Sequence, residues 1–260
     1  MTRRRRSPAW VPQQHGAWAM MAIPILIGIL LAGPAPAHIP LLLAWVAAFL
    51  AFQAGSVWLK SRRATRYFRP TVTYAALAVP PGVIALAMRP ELLWWAIPFA
   101  PLVAVAVWAA WTRNDRSIAN DTATIVATGL MIPVAFHMVH PVDDGAWPWI
   151  WIVTSVVTAA FWGTIPHVKS LIRERKNPAY ARFSMVFHII GAAAILALTA
   201  MGVFAPAALG GWLLTATWVL FAVRAVWMPV RQQRIGLYKP VQIGVVELVL
   251  SVLLALAFVL

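Results

Sequence analysis

Apolar residues do not alternate along this chain. They come in long unbroken runs separated by short polar segments, at residues 17–33, 39–59, 71–88, 91–111, 120–139, 147–166, 183–203, 206–228 and 240–260. About 20 consecutive apolar residues carry a helix across the hydrocarbon core of a bilayer. A helix also satisfies its own backbone polar groups, which lipid cannot do. The pattern therefore predicts an all-α fold, a polytopic transmembrane helical bundle of about nine spans, with the first span short by this measure. One helical domain over 17–260 follows a basic tail, 1–16. Arg89-Pro90 and Phe204-Ala205-Pro206 read as tight turns between spans, because a proline disfavours helix at the residue before it.

Composition agrees with the pattern: 62% of the 260 residues are hydrophobic and 11% charged, where a soluble domain carries about 25% charged residues. The absence of cysteine rules out disulfides and thiolate chemistry. The run behind the basic tail lacks a small-residue cleavage site, so it is read as a span and not as a signal peptide. A net charge of +14 would suit nucleic acid, but no nucleic-acid partner is expected. With nine spans, every Lys and Arg except Arg89 falls in the N-terminal tail or in every second loop. The positive-inside rule then places the N-terminus and loops 2–3, 4–5, 6–7 and 8–9 in the cytoplasm, and the C-terminal Leu260 outside.

Many of the 15 tryptophans lie near span ends, where aromatic belts form. Gly28, Gly129, Gly163, Gly191 and Gly244 lie inside spans, where small residues let helices approach closely. Pro24, Pro98, Pro101 and Pro133 inside spans are expected to mark kinks.

Ionisable groups inside spans are candidate functional groups, and here they gather on one side. Glu247 lies seven residues into the last span, about 10 Å deep. His188 lies at similar depth in the seventh, Arg224 in the last turns of the eighth, His167 at the end of the sixth, and His15 just before the first. The far half offers only His38, His137 and His140. The pattern predicts a polar cavity open to the cytoplasm and capped by basic loops. The alternative is that each group snorkels or pairs with a neighbour, Glu247 with Arg224 above all.

Two Asn-Asp pairs, Asn114-Asp115 and Asn120-Asp121, stand where spans four and five meet. Carboxylate and amide oxygens suit Mg²⁺, which is usually shared with a substrate phosphate, so Asp115 and Asp121 are candidate metal ligands and catalytic residues. The other reading makes Asn120 or Asp121 a helix cap and pairs Asp115 with Arg113 or Arg116. The loop Lys60–Pro70 holds Arg62 and Arg66, which suit a phosphate or an anionic lipid headgroup. After span six, Lys169, Arg173 and Lys176 share a helical face. Lys169 and Arg173 are the expected anion ligands there. No metalloprotease, nucleophile-elbow or P-loop motif is present.

The segments Gln14-His15-Gly16-Ala17-Trp18, Asn114-Asp115 with Asn120-Asp121, and Lys169-Ser170-Leu171-Ile172-Arg173-Glu174-Arg175 resemble the YwiC-like family of bacterial membrane proteins. That resemblance implies a bacterial cell membrane. Nine spans with polar loops at 2–3 and 6–7 are also similar to the UbiA-type intramembrane prenyltransferases. Those enzymes hold a polyprenyl diphosphate through Mg²⁺ on aspartate-rich motifs at these loops. Here the two loops are basic and the acids stand at loop 4–5. The combined expectation is a cytoplasm-facing site for an isoprenoid diphosphate or similar lipid phosphate. Lys169, Arg173, Arg62 and Arg66 would neutralise the anion directly. Prenyl transfer is one outcome of such a site. A transporter, or a lipid-binding or structural subunit without catalysis, is the alternative.

Overall fold

A computed structural model describes residues 9–12, 15–204 and 208–260, the side chains of residues 15 and 208 excepted. Gln14, the His15 side chain and the Ala205-Pro206 turn lie outside what it describes. Ten helices follow one another among the described residues: α1 (His15–Ala32), α2 (His38–Lys60), α3 (Thr65–Met88), α4 (Ala96–Trp111), α5 (Ile118–Gly129), α6 (Met131–His137), α7 (Trp147–Ile172), α8 (Pro178–Ala200), α9 (Ala208–Ile235) and α10 (Pro240–Val259). A 3₁₀ segment, Pro90–Trp95, leads into α4. Among the described residues, eight helical stretches are long and apolar enough to cross a membrane, with α4 counted together with its 3₁₀ lead-in and α5 with α6. The shorter apolar helix α1, 18 residues, reaches about 27 Å at 1.5 Å per residue. The chain is a multi-pass helical membrane protein, as the apolar runs predict.

Helix ends differ from the run boundaries where a proline sits inside a helix. α7 runs through Pro166 to Ile172, so His167 and Lys169 are helical and not in a loop. α3 already begins at Thr65 and contains Pro70, which reduces loop 2–3 to residues 61–64. α5 and α6 are one apolar stretch broken at Leu130. Pro133 has no N–H to give the carbonyl of Gly129, and the helix interrupts there. Asn177 caps α8, accepting the Ala179 N–H at 3.1 Å, with Pro178 in the first helical position, where its missing N–H costs nothing.

The chain forms two compact units, Met1–Trp151 and Ile152–Leu260, which meet within α7. In the first, α2 packs along α3 and α1 along α6, around Ile25, Leu41, Ala85, Met131 and Ala135. Gly28 brings α1 onto α6 so closely that an added Cβ would lie 2.5 Å from the Ile132 carbonyl oxygen. The histidines at one end of this unit are tied down. His38 Nε2 donates to the Ala135 carbonyl at 3.0 Å, and Trp95 donates to His137 Nδ1 at 2.9 Å. His140 bonds the Ala32 carbonyl and Asp144, at 2.9 and 2.7 Å. The Ala146 N–H, then His140, hold the Asp144 carboxyl below its ordinary pKa. Arg89, the exception to the charge pattern, also serves this end, donating from Nε to the Met138 carbonyl at 3.4 Å.

In the second unit α9 packs on both α8 and α10. Gly163 lets α7 approach α8: an added Cβ would stand 2.8 Å from His188 Nε2. Gly191 does the same for Trp218 on α9. Gly244 faces open space, so close packing does not explain it.

Candidate intramembrane site

Each helix of the second unit contributes one polar side chain to a single buried cluster. His167 lies five residues before the end of α7 and Arg224 eleven before the end of α9, while His188 lies ten residues into α8 and Glu247 seven into α10. At 1.5 Å per residue these depths are about 8 to 17 Å from one common end of the unit. His167 and His188 are wholly buried, Arg224 is 4% exposed, and the Glu247 side chain is 13% exposed.

Arg224 Nη1 and Glu247 Oε1 form an ion pair. Such a pair is the economical way to place a guanidinium at this depth, since either charge alone would be uncompensated in an apolar medium. His188 orients the arginine. Its Nδ1 stands 2.7 Å from the Ser184 carbonyl oxygen, which can only accept, so Nδ1 carries the proton. Nε2 then offers its lone pair to Arg224 Nη2 at 3.4 Å. The Phe221 ring lies under the guanidinium, 4.8 Å away. His167 completes the group, its ring edge-to-face with His188 at 6.3 Å.

The quartet is not saturated. His167 Nε2 is 3.8 Å from Glu247 Oε1, beyond hydrogen-bond reach. Both ring nitrogens of His167, Nε of Arg224 and Oε2 of Glu247 have no hydrogen-bond partner among the described residues. Buried polar atoms are nearly always paired, and leaving one unpaired costs about 1–3 kcal/mol. A fixed cation, a carboxylate and an imidazole thus keep open donors and acceptors within one buried cluster.

The structure unites part of the candidate set. His167, His188 and Glu247 come together, with Arg224 as the fourth member. Lys169 and Arg173 do not share their face. Lys169 lies about 200° around α7 from His167 and is half-buried, and Arg173 follows the end of the helix and is exposed, while Ser170 and Leu171 on the His167 side are buried.

In the first unit the remaining candidates form a different assembly. Lys60 Nζ pairs with Asp115 Oδ2 at 3.0 Å, a partner 55 residues away in sequence. Asn120 donates from Nδ2 to the Asp115 carbonyl at 2.7 Å. The cap of α5 is Ser117, which accepts the Asn120 N–H at 3.2 Å. Asp121 lies in the first turn, where the helix dipole favours an acid. Arg63 lies over the Trp111 ring at 4.7 Å and Arg66 over the Tyr67 ring at 4.7 Å. Arg62, Arg63 and Arg113 hold φ of 58°, 61° and 58°, the left-handed region that glycine usually fills at helix ends. Among the described residues, no three His, Asp or Glu side chains cluster closely enough to hold a metal ion.

Comparison with known proteins follows the same chain. A family model described as YwiC-like protein matches residues 11–136. A Bacillus subtilis (strain 168) protein named Uncharacterized protein YwiC is 33% identical over 184 residues, 70% of this chain and 75% of that protein. The chain belongs to the YwiC-like family. A Haemophilus influenzae (strain ATCC 51907 / DSM 11121 / KW20 / Rd) protein, named Uncharacterized protein, is 30% identical over 241 residues, 93% of each chain. A match of that extent takes in helices of both units, beyond the segment that the YwiC-like model covers. No solved structure matches the chain.

Proposed function

We propose that the quartet of the second unit binds the phosphate or diphosphate head of an isoprenoid or similar lipid. The observation that carries this reading is the set of partnerless buried nitrogens on His167 and Arg224, at a depth where polar groups are expensive and mark function. Arg224 supplies the fixed positive charge, His167 the free donor, and His188 the orientation of the guanidinium. Lys169 and Arg173, at the same end of the unit, draw the anion in without holding it. The UbiA-like resemblance extends the reading to prenyl transfer. Mg²⁺ would then arrive with the diphosphate, because Asp115 is already held by Lys60 and a metal here needs phosphate oxygens to complete its shell.

The clean test is His167→Phe, which keeps the ring volume and removes both nitrogens without changing a charged residue. Native mass spectrometry of the delipidated protein with added farnesyl diphosphate, with and without EDTA, should show a one-to-one complex. The variant should bind at least about 10-fold more weakly, as expected for one hydrogen bond to a charged group. Equal binding by His167→Phe, or no complex with the unaltered protein, sinks the reading.

The same reading puts the basic helix ends and the N-terminus in the cytoplasm. In the first unit the Lys60–Asp115 bridge and the Arg63–Trp111 stack join two of those basic ends. Alkaline phosphatase fused after Leu260 should be active outside the cytoplasm. An inactive fusion in a stably produced protein would invert the assignment.

A further inference from the structure

We infer that an outer groove between α8 and α9 is a binding site for one anionic phospholipid, distinct from the quartet. The groove has a volume of about 440 Å³ and is lined by Ile189, Ala222, Val223, Val226, Trp227 and Val230. That volume falls within the ~300–1,000 Å³ typical of ligand pockets. Its walls are apolar, and Ile189, Val223 and Trp227 are each more than half exposed. This is a shallow, exposed apolar surface on a membrane-spanning pair of helices, and a hydrocarbon chain is the chemistry that fits it.

The charge at one end of the groove selects the head. α8 and α9 run antiparallel, since His188 meets Arg224 while Thr199 meets Thr215. The start of α8 and the end of α9 therefore lie together. Arg182 sits seven residues before Ile189 and Arg234 four after Val230, each on the groove-facing side of its helix by the 3.6-residue period, and both are exposed. Arg231 lies between them in level. Its guanidinium carbon is 5.5 Å from the Trp227 ring centre and 5.2 Å from that of Tyr238. Two aromatic faces thus hold one guanidinium beside the groove, and Trp227 belongs to both the rim and the wall. An arginine fixed in this way keeps its fork free for phosphate. An acyl chain in the groove brings its phosphodiester to this rim, one to two helical turns nearer the membrane surface. No acidic residue lies in α8 or in the last three turns of α9 to oppose it.

The inference differs from the quartet reading in its residues. Arg224 and His188 adjoin Val223 and Ile189 in sequence but turn inward, and both are buried.

Delipidated protein offered an equal mixture of phosphatidylglycerol and phosphatidylcholine should retain one phosphatidylglycerol, preferred at least ~10-fold by native mass spectrometry, given about 5-fold per arginine near an anionic head. The double variant Arg231→Gln/Arg234→Gln should lose that preference. Ala222→Phe, which fills the groove, should lose the bound lipid of either kind. His167→Phe should retain phosphatidylglycerol unchanged, which separates this site from the quartet. Equal retention of the two lipids by the unaltered protein, or full preference in the double arginine variant, overturns the inference. So does displacement of phosphatidylglycerol by farnesyl diphosphate, which would make the groove the tail channel of the other ligand.

Discussion

Arg224→Met is expected to prevent the protein from accumulating, and Glu247→Met to do the same. Removing one member of a buried ion pair leaves the other uncompensated, at a cost of about 3–5 kcal/mol. Few proteins have stability to spare on that scale, since the whole margin is about 5–15 kcal/mol. The pair itself is worth far less than its rupture. Arg224→Met/Glu247→Met should therefore restore a folded protein, because two apolar side chains of similar length fill the same space without a charge. Detergent size-exclusion profiles and thermal unfolding of the three variants decide the matter. Single variants as stable as the unaltered protein would show that the pair is solvated. A double variant that also fails would show that Arg224 is needed for packing against Phe221, not only for charge. The folded double variant should no longer bind farnesyl diphosphate, which separates the site's chemistry from its structural support.

Gly28→Val should be nearly as damaging, for a steric reason. The Cβ of any residue at 28 meets the Ile132 carbonyl oxygen at 2.5 Å, with Ile132 Cα at 2.9 Å. These are backbone atoms, which cannot swing aside as a long side chain can. α1 must move off α6, and the core formed by Ile25, Ala135 and Met131 opens with it. Overpacking usually costs about 1–3 kcal/mol, and a backbone clash belongs at the top of that range. Gly244→Val is the control, since that glycine meets nothing within 4 Å. A loss of at least about 5 °C in unfolding temperature for the first, and none for the second, is the expected pair of results. No loss at Gly28 would mean that α1 is free to shift.

The contrast between these glycines shows how far the sequence could be read. All five glycines named inside spans looked alike, and only the fold distinguishes Gly28 and Gly163 from Gly244. The spans themselves were legible because some 20 apolar residues in a row have few other uses. Their ends were less so. Pro166 looks like a terminator, yet α7 continues through it to Ile172, since neighbouring helices tolerate proline in a membrane. That extension turns His167 from a residue at a boundary into a buried one. The Arg224–Glu247 pair was legible from depth alone. The partner of Asp115 was not, because Lys60 is 55 residues away and only tertiary packing brings it there. Lys169 and Arg173 do not share a helical face, because α7 ends at Ile172 and Arg173 lies in the turn beyond it; nor can periodicity say which face turns inward, and in α7 it is the one that bears His167.

The Arg224–Glu247 pair lies on consecutive helices joined by residues 236–239 alone. Its consequence reaches back to biosynthesis. An arginine near the middle of a lone span resists entry into the bilayer by about 2.5–3.5 kcal/mol. α9 carries such an arginine, and the only acid in α10 is the one that cancels it. As a hairpin, the two helices carry no net charge at this level, whereas α9 alone would carry an unpaired arginine into the bilayer.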